Sequence, residues 1–67
     1  MAFTADQWRD LTVTKFLDDN NTVFERGPFE IDGETYDWKL TDTMGEDYCN
    51  ISELVDWNIK IKTIIEN

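Results

Sequence analysis

Apolar positions alternate with polar ones over short stretches, and turn-forming residues cut the chain into brief elements. Thr4 stands three residues before Gln7 and fits a capping box, in which each side chain satisfies the other residue's backbone N–H. Phe3 and Trp8 sit where a hydrophobic staple places them, so a helix starts near Ala5. Thr12, Val13 and Thr14 form a β-branched run, and Leu11, Val13 and Leu17 follow a two-residue period. The helix is therefore expected to end near Asp10 with a strand after it; the alternative is one helix running to about Asp18.

Asp18-Asp19-Asn20-Asn21 gathers turn formers between two apolar, β-branched segments and predicts a hairpin connection. Asp32-Gly33 is the dipeptide favoured in a type I′ turn, where both central residues need positive φ. A two-residue loop there sets Ile31 opposite Glu34 and Phe29 opposite Tyr36, and parity puts Phe29, Ile31, Tyr36, Trp38 and Leu40 on one face. Gly27-Pro28 interrupts the incoming strand and predicts a bulge, because Pro lacks a ladder donor and Gly tolerates the distortion. A one-residue shift would bring Phe24 onto the face of Phe29 and Ile31. Across the Asp19-Asn20 turn it would add Leu11, Val13, Lys15 and Leu17.

Thr43 to Asn50 reads as a polar loop containing Gly45, and Asn50 followed by Glu53 marks a second helix start of about one turn, through Leu54. Val55, Trp57, Ile59, Ile61, Thr63 and Ile65 then alternate with mostly polar neighbours and predict a strand, although a helical stripe also runs through 51, 54, 55, 58 and 61. The expected fold class is α+β: a short N-terminal helix, an antiparallel sheet of about four strands built on two hairpins, and a short helical turn near residue 50. No repeat, linker or low-complexity tract divides residues 1–67, which are read as a single small acidic domain.

A chain of 67 residues has little interior, and ordering it opposes folding by roughly 1.5 kcal/mol per residue, so burial must be concentrated in large side chains. The 13% aromatic content, including three Trp, supplies them and separates this chain from disordered acidic tails. At least two of Trp8, Trp38 and Trp57 belong in such a core; a third, or Tyr48, is a candidate interface anchor. No apolar run is long enough to span a bilayer, and Met-Ala-Phe-Thr-Ala-Asp has neither the basic start nor the apolar stretch of a signal peptide, so the cytoplasm is the expected location.

Cys49 is the only cysteine and histidine is absent, which removes disulfide frameworks, Cys/His zinc sites and His-dependent nucleophile pairs. Cys49 itself reads as a half-buried small residue whose thiol pKa is raised by Glu46 and Asp47. Asp18-Asp19-Asn20-Asn21, and Asp42 with Glu46 and Asp47 around Gly45, lack the ligand rhythm of a Ca²⁺ loop. Neither a metal site nor a cofactor is assigned, and a carboxylate Ca²⁺-binding module is kept only as an alternative. Paired carboxylates arise by chance in so acidic a chain, so no enzyme is expected.

Fifteen Asp and Glu against six Lys and Arg give a net charge of −9. Residues 18–56 carry net −10, the N-terminal segment is neutral and residues 57–67 are net positive. Such a charge disfavours direct contact with nucleic acid or anionic lipid, and the expected partner is a basic protein, itself a nucleic-acid-binding enzyme. The candidate partner-binding residues are Glu25, Glu30, Asp32, Glu34, Asp37, Asp42, Glu46 and Asp47. Glu25, Glu30 and Asp37 are expected to project from the face opposite Phe29, Tyr36 and Trp38. Rows of carboxylates, about 6.6 Å apart on one face of a strand, would stand in for phosphates. In size and composition alone the chain resembles small phage-encoded inhibitors of host nucleic-acid enzymes, including some anti-restriction and anti-CRISPR proteins, with no motif or residue carried across. The alternative is a small interaction or oligomerisation subunit that uses an exposed aromatic or edge-strand surface, with Lys60 and Lys62 protecting the last strand; both monomer and homodimer are compatible with the sequence.

Overall fold

The structure is a computed structural model and describes residues 3–67. Helix α1 (Ala5–Asp10) is followed by strands β1 (Lys15–Asp18), β2 (Val23–Ile31), β3 (Glu34–Asp42) and β4 (Gly45–Cys49), helix α2 (Ile51–Trp57) and strand β5 (Ile61–Glu66). The fold is α+β, and its single antiparallel sheet has five strands in the order β4-β3-β2-β1-β5, where about four were expected. Strands β1 to β4 form a meander. The connection through α2 then carries the chain from one edge of the sheet to the other, where β5 pairs with β1.

The N-terminal signals act as expected. Thr4 and Gln7 exchange backbone-to-side-chain hydrogen bonds at 2.9 and 3.2 Å. The Phe3 and Trp8 rings meet edge to face at 5.2 Å. At Asp10 the helix gives way to extended chain, and β1 begins at Lys15. The β1–β2 hairpin forms over the expected turn, with buried Asp18 accepting the N–H groups of Asn20 and Thr22 through Oδ1 at 2.9 and 2.8 Å. At the β2–β3 turn Asp32 and Gly33 have φ of 52° and 82°, and Ile31 pairs with Glu34. Both central residues have the positive φ that a type I′ turn requires.

Packing corrects the expected faces. Phe16 pairs with Phe24, their rings stack at 4.7 Å, and Trp38 stands edge-on to both. These residues, with Trp8, Val13, Cys49 and Leu54, form the core under the two helices. Since neighbouring strand residues point to opposite faces, Lys15 and Leu17 lie on the uncovered side, not with the core. The bulge does occur at Gly27-Pro28: Arg26 pairs with Trp38 and Phe29 with Tyr36, leaving two residues, Gly27 and Pro28, on β2 against one, Asp37, on β3. Its effect is the reverse of the expected one. Phe29 and Tyr36 turn to Tyr48, with ring centres 5.6 and 5.9 Å from it, while Phe24 stays with Trp38. Tyr48 pairs with Lys39 and Cys49 with Trp38, so the Phe29, Tyr36 and Tyr48 cluster lies on the face away from the core.

Two further differences fall in the C-terminal half. Residues 45–49, expected within a loop, form edge strand β4, whose Gly-Glu-Asp sequence has low strand preference and is held by backbone pairing to β3 from Asp42 to Trp38. The helix expected to end near Leu54 continues through Trp57, using the alternative stripe with Leu54 buried and Ile51 and Val55 against the core. Asn58 ends it in the left-handed conformation at φ 56° and ψ 46°, one that Asn adopts more readily than most residues. The terminal strand therefore starts at Ile61 and not at Val55. It carries two register shifts against β1, and its Ile64 and Ile65 are about half exposed.

Candidate acidic interface

The eight carboxylates singled out from the sequence are sorted by the sheet into four settings. Glu30, Asp32 and Glu34 surround the β2–β3 turn, all exposed and, among the described residues, in no ion pair. Asp42, Glu46 and Asp47 gather at the β3–β4 turn. Nine residues of β3 separate the two turns, a distance of roughly 26 Å at the rise of a strand. Within this second group the Asp42 carboxylate accepts the Met44 N–H at 2.8 Å, which shapes the turn.

Glu25 lies elsewhere, on the uncovered face. The register aligns Glu66, Lys15, Glu25, Lys39 and Tyr48 across all five strands, so charge alternates along the first four. Lys39 Nζ is 3.7 Å from Glu25 and 3.6 Å from Glu46, and 5.6 Å from the Phe29 ring centre. Lys39 is half-buried and its partners are more exposed, so these pairs at 3.6 and 3.7 Å contribute modestly to stability and offset part of the negative charge there. Glu25 thus shares the face of Phe29 and Tyr36, against expectation.

Asp37 is the fourth setting. It is half-buried, and its Oδ2 accepts the N–H of Ile51 at 2.8 Å while its own N–H donates to Asn50 Oδ1 at 3.2 Å. Asn50 occupies the N-cap position of α2 as expected, yet the side chain that satisfies the first turn belongs to Asp37 on β3. Its carboxylate is committed to the fold. No strand presents a row of carboxylates on one face, because the bulge, Asp37 and the alternation at Glu46-Asp47 break the spacing.

Three of the six basic residues are engaged, while Lys15, Lys60 and Lys62 are in no ion pair among the described residues. Arg9 is 2.8 Å from Asp6, Arg26 lies 5.8 Å from the centre of the Trp38 ring and donates to the Arg9 carbonyl, and Lys39 is held between two glutamates. Around the β2–β3 turn the negative charge acts on Tyr36. Its hydroxyl donates to Glu34 Oε2 at 3.0 Å, and that bond, followed by the charge of Glu34, partial desolvation and the charges of Glu53 and Asp32, raises its pKa above 10.0. Glu53, on α2, was not among the sequence candidates. Cys49 is fully buried, where half-burial was expected. Burial first, then Glu53, Asp47 and Asp37, pushes its thiol from 9.0 up to about 12.

The second acidic turn borders a groove enclosing about 290 Å³ between the β3–β4 turn and the end of α2. Trp57 and Met44, 49% and 92% exposed, help to line it. Trp57 was not distinguished beforehand because the alternation over 55–65 placed it within a strand. Among the described residues no group of three His, Cys, Asp or Glu is arranged to hold a metal ion, and no helix is long and apolar enough to cross a membrane. No family model, curated protein or solved structure matches this chain.

Proposed function

We propose that this chain is a non-enzymatic acidic binding protein that inhibits or regulates a basic, nucleic-acid-binding protein of the cytoplasm. The observation that carries the reading is the exposed group Glu30, Asp32 and Glu34 at a hairpin tip, in no ion pair among the described residues, while Arg9, Arg26 and Lys39 are engaged elsewhere. Three carboxylates gathered at one two-residue turn attract a cationic surface over about 8 Å at physiological salt and speed encounter with it. The separation of the two acidic turns supports contact at two points on a partner, rather than imitation of a regular phosphate row. The resemblance in size and composition to small phage-encoded inhibitors is consistent with this role.

The test is capture of proteins from a bacterial lysate on the immobilised chain, followed by elution with duplex DNA or by raising salt from about 0.1 M to about 0.5 M, where screening lengths differ about twofold. A nucleic-acid-binding protein released by both treatments supports the proposal. Partners that survive high salt and ignore DNA overturn it, and would shift the reading to an interaction subunit docking through apolar surface. The half-exposed Ile64 and Ile65 on edge strand β5 are the observation that favours that second reading.

A further inference from the structure

Two of the three tryptophans are almost completely buried, Trp8 and Trp38 at 1% exposure, while Trp57 ends α2 half in water. Its ring lines the groove beside the β3–β4 turn together with Leu40, Met44, Asp42, Glu46 and Asp47, and no Lys or Arg is among the lining residues. At about 290 Å³ the groove lies at the small end of ligand pockets, which run from roughly 300 to 1,000 Å³, and it suits a protruding side chain better than a cofactor. Its three carboxylates repel anions. Its apolar wall of Leu40, Met44 and Trp57 gives little to a strongly hydrated ammonium.

A guanidinium satisfies both halves of this lining. It is planar and weakly hydrated, stacks on aromatic faces, and offers forked N–H donors to carboxylates. We infer that the groove anchors an arginine side chain of the basic partner, with Trp57 stacking on the guanidinium plane and Asp42 and Asp47 accepting its N–H groups. Glu46 is tied to Lys39 at 3.6 Å, whereas Asp42 and Asp47 are in no ion pair among the described residues. Met44, long and unbranched, adapts to the aliphatic stem. A second copy of this chain is poorly suited to the groove, because its Arg9 is paired with Asp6 and its Arg26 lies over Trp38. The inference rests on the proposed basic partner and adds which cation is recognised, and where.

The test titrates the labelled protein with a short arginine–glycine peptide and with the lysine–glycine peptide of equal charge, following the indole N–H resonances by NMR. The expected result is movement of the Trp57 resonance with Trp8 and Trp38 unmoved, and about tenfold tighter binding of the arginine peptide. Trp57→Leu keeps apolar bulk at the helix end and should abolish the arginine preference, while Asp42→Asn combined with Asp47→Asn should weaken both peptides. Should Trp57→Leu fail to fold, the wild-type resonances and the Asn pair still decide the matter. Equal affinities with Trp57 unmoved overturn the groove assignment and leave the acidic binder standing. Absence of binding by either peptide at low salt overturns both. A Trp57 resonance that moves with protein concentration alone assigns the groove to a second copy and overturns the arginine anchor.

Discussion

Asp37 Oδ2 accepts the Ile51 backbone N–H at 2.8 Å, so a strand residue caps a helix that starts fourteen positions later. The reciprocal bond from the Asp37 N–H to Asn50 Oδ1 fastens the first turn of α2 to the middle of β3. Replacing a capping side chain by Ala costs about 1 kcal/mol, within a range of roughly 0.5–2. Asp37→Ala is expected to lower stability by that amount in urea denaturation and to leave partner affinity unchanged. The same substitution in a surface contact residue would do the opposite.

Gly27 makes the bulge possible by lacking a side chain. A Cβ there would stand 2.7 Å from the Tyr36 carbonyl, 2.9 Å from the Asp37 carbonyl and 2.8 Å from the Phe29 nitrogen, all backbone atoms that cannot swing aside. Gly27→Ala is expected to destabilise by about 1–3 kcal/mol, as forced overpacking does. Gly33 has open space around its missing Cβ, and Gly33→Ala meets only the cost of φ +82° in the turn. Denaturation midpoints of the two variants, measured side by side, check the distinction. An equal or smaller loss at Gly27 would contradict the account of the bulge.

Local signals were readable where the responsible residues are neighbours in the chain. Thr4 with Gln7, Phe3 with Trp8, and Asp32-Gly33 each specify a cap, a staple or a turn through residues no more than five positions apart. The failures arise where partners are distant. Parity along β2 and β3 is lost at a bulge whose geometry depends on Gly27 meeting the backbone of Tyr36 and Asp37 across the hairpin. Strand β4 is paired through β3 despite its own composition, and α2 outlasts its expected single turn because Leu54 is buried in the core. The site follows the same division. The carboxylates at the β2–β3 turn lie where the turn dipeptide puts them, but the capping role of Asp37 and the exposure of Trp57 depend on where α2 packs.

Cys49 makes stability depend on alkaline pH. Burial holds the folded thiol up to about 12, against 9.0 for an ordinary one, so the folded state retains a proton that the unfolded chain releases first. The contribution is complete below pH 9 and is lost as pH rises toward 12. Tyr36 is raised above 10.0 and acts in the same direction, so the comparison that isolates the thiol is wild type against Cys49→Ala. Urea denaturation across this range should show a shallower alkaline decline in the variant. Thiol reagents at neutral pH should label Cys49 only as the chain unfolds; rapid labelling of the folded protein would refute its burial.

At the β2–β3 turn, charge and fold can be separated by substitution. Asp32→Asn preserves the type I′ turn, since Asn-Gly is as well suited to two positive φ values as Asp-Gly, while it removes one of three adjacent carboxylates. Glu30→Gln is conservative in shape at an exposed strand position, whereas Glu34→Gln also exchanges the acceptor of the Tyr36 hydroxyl for a neutral one. The triple variant is expected to be as stable as wild type within about 0.5 kcal/mol, because relief of like-charge repulsion and the small cost at Glu34 are both surface effects. Association with a captured basic partner should slow by about tenfold at low salt, and its salt dependence should flatten, as loss of electrostatic steering requires. The dissociation rate is expected to change less. Unchanged association at low salt in a folded triple variant would remove this turn from the interface.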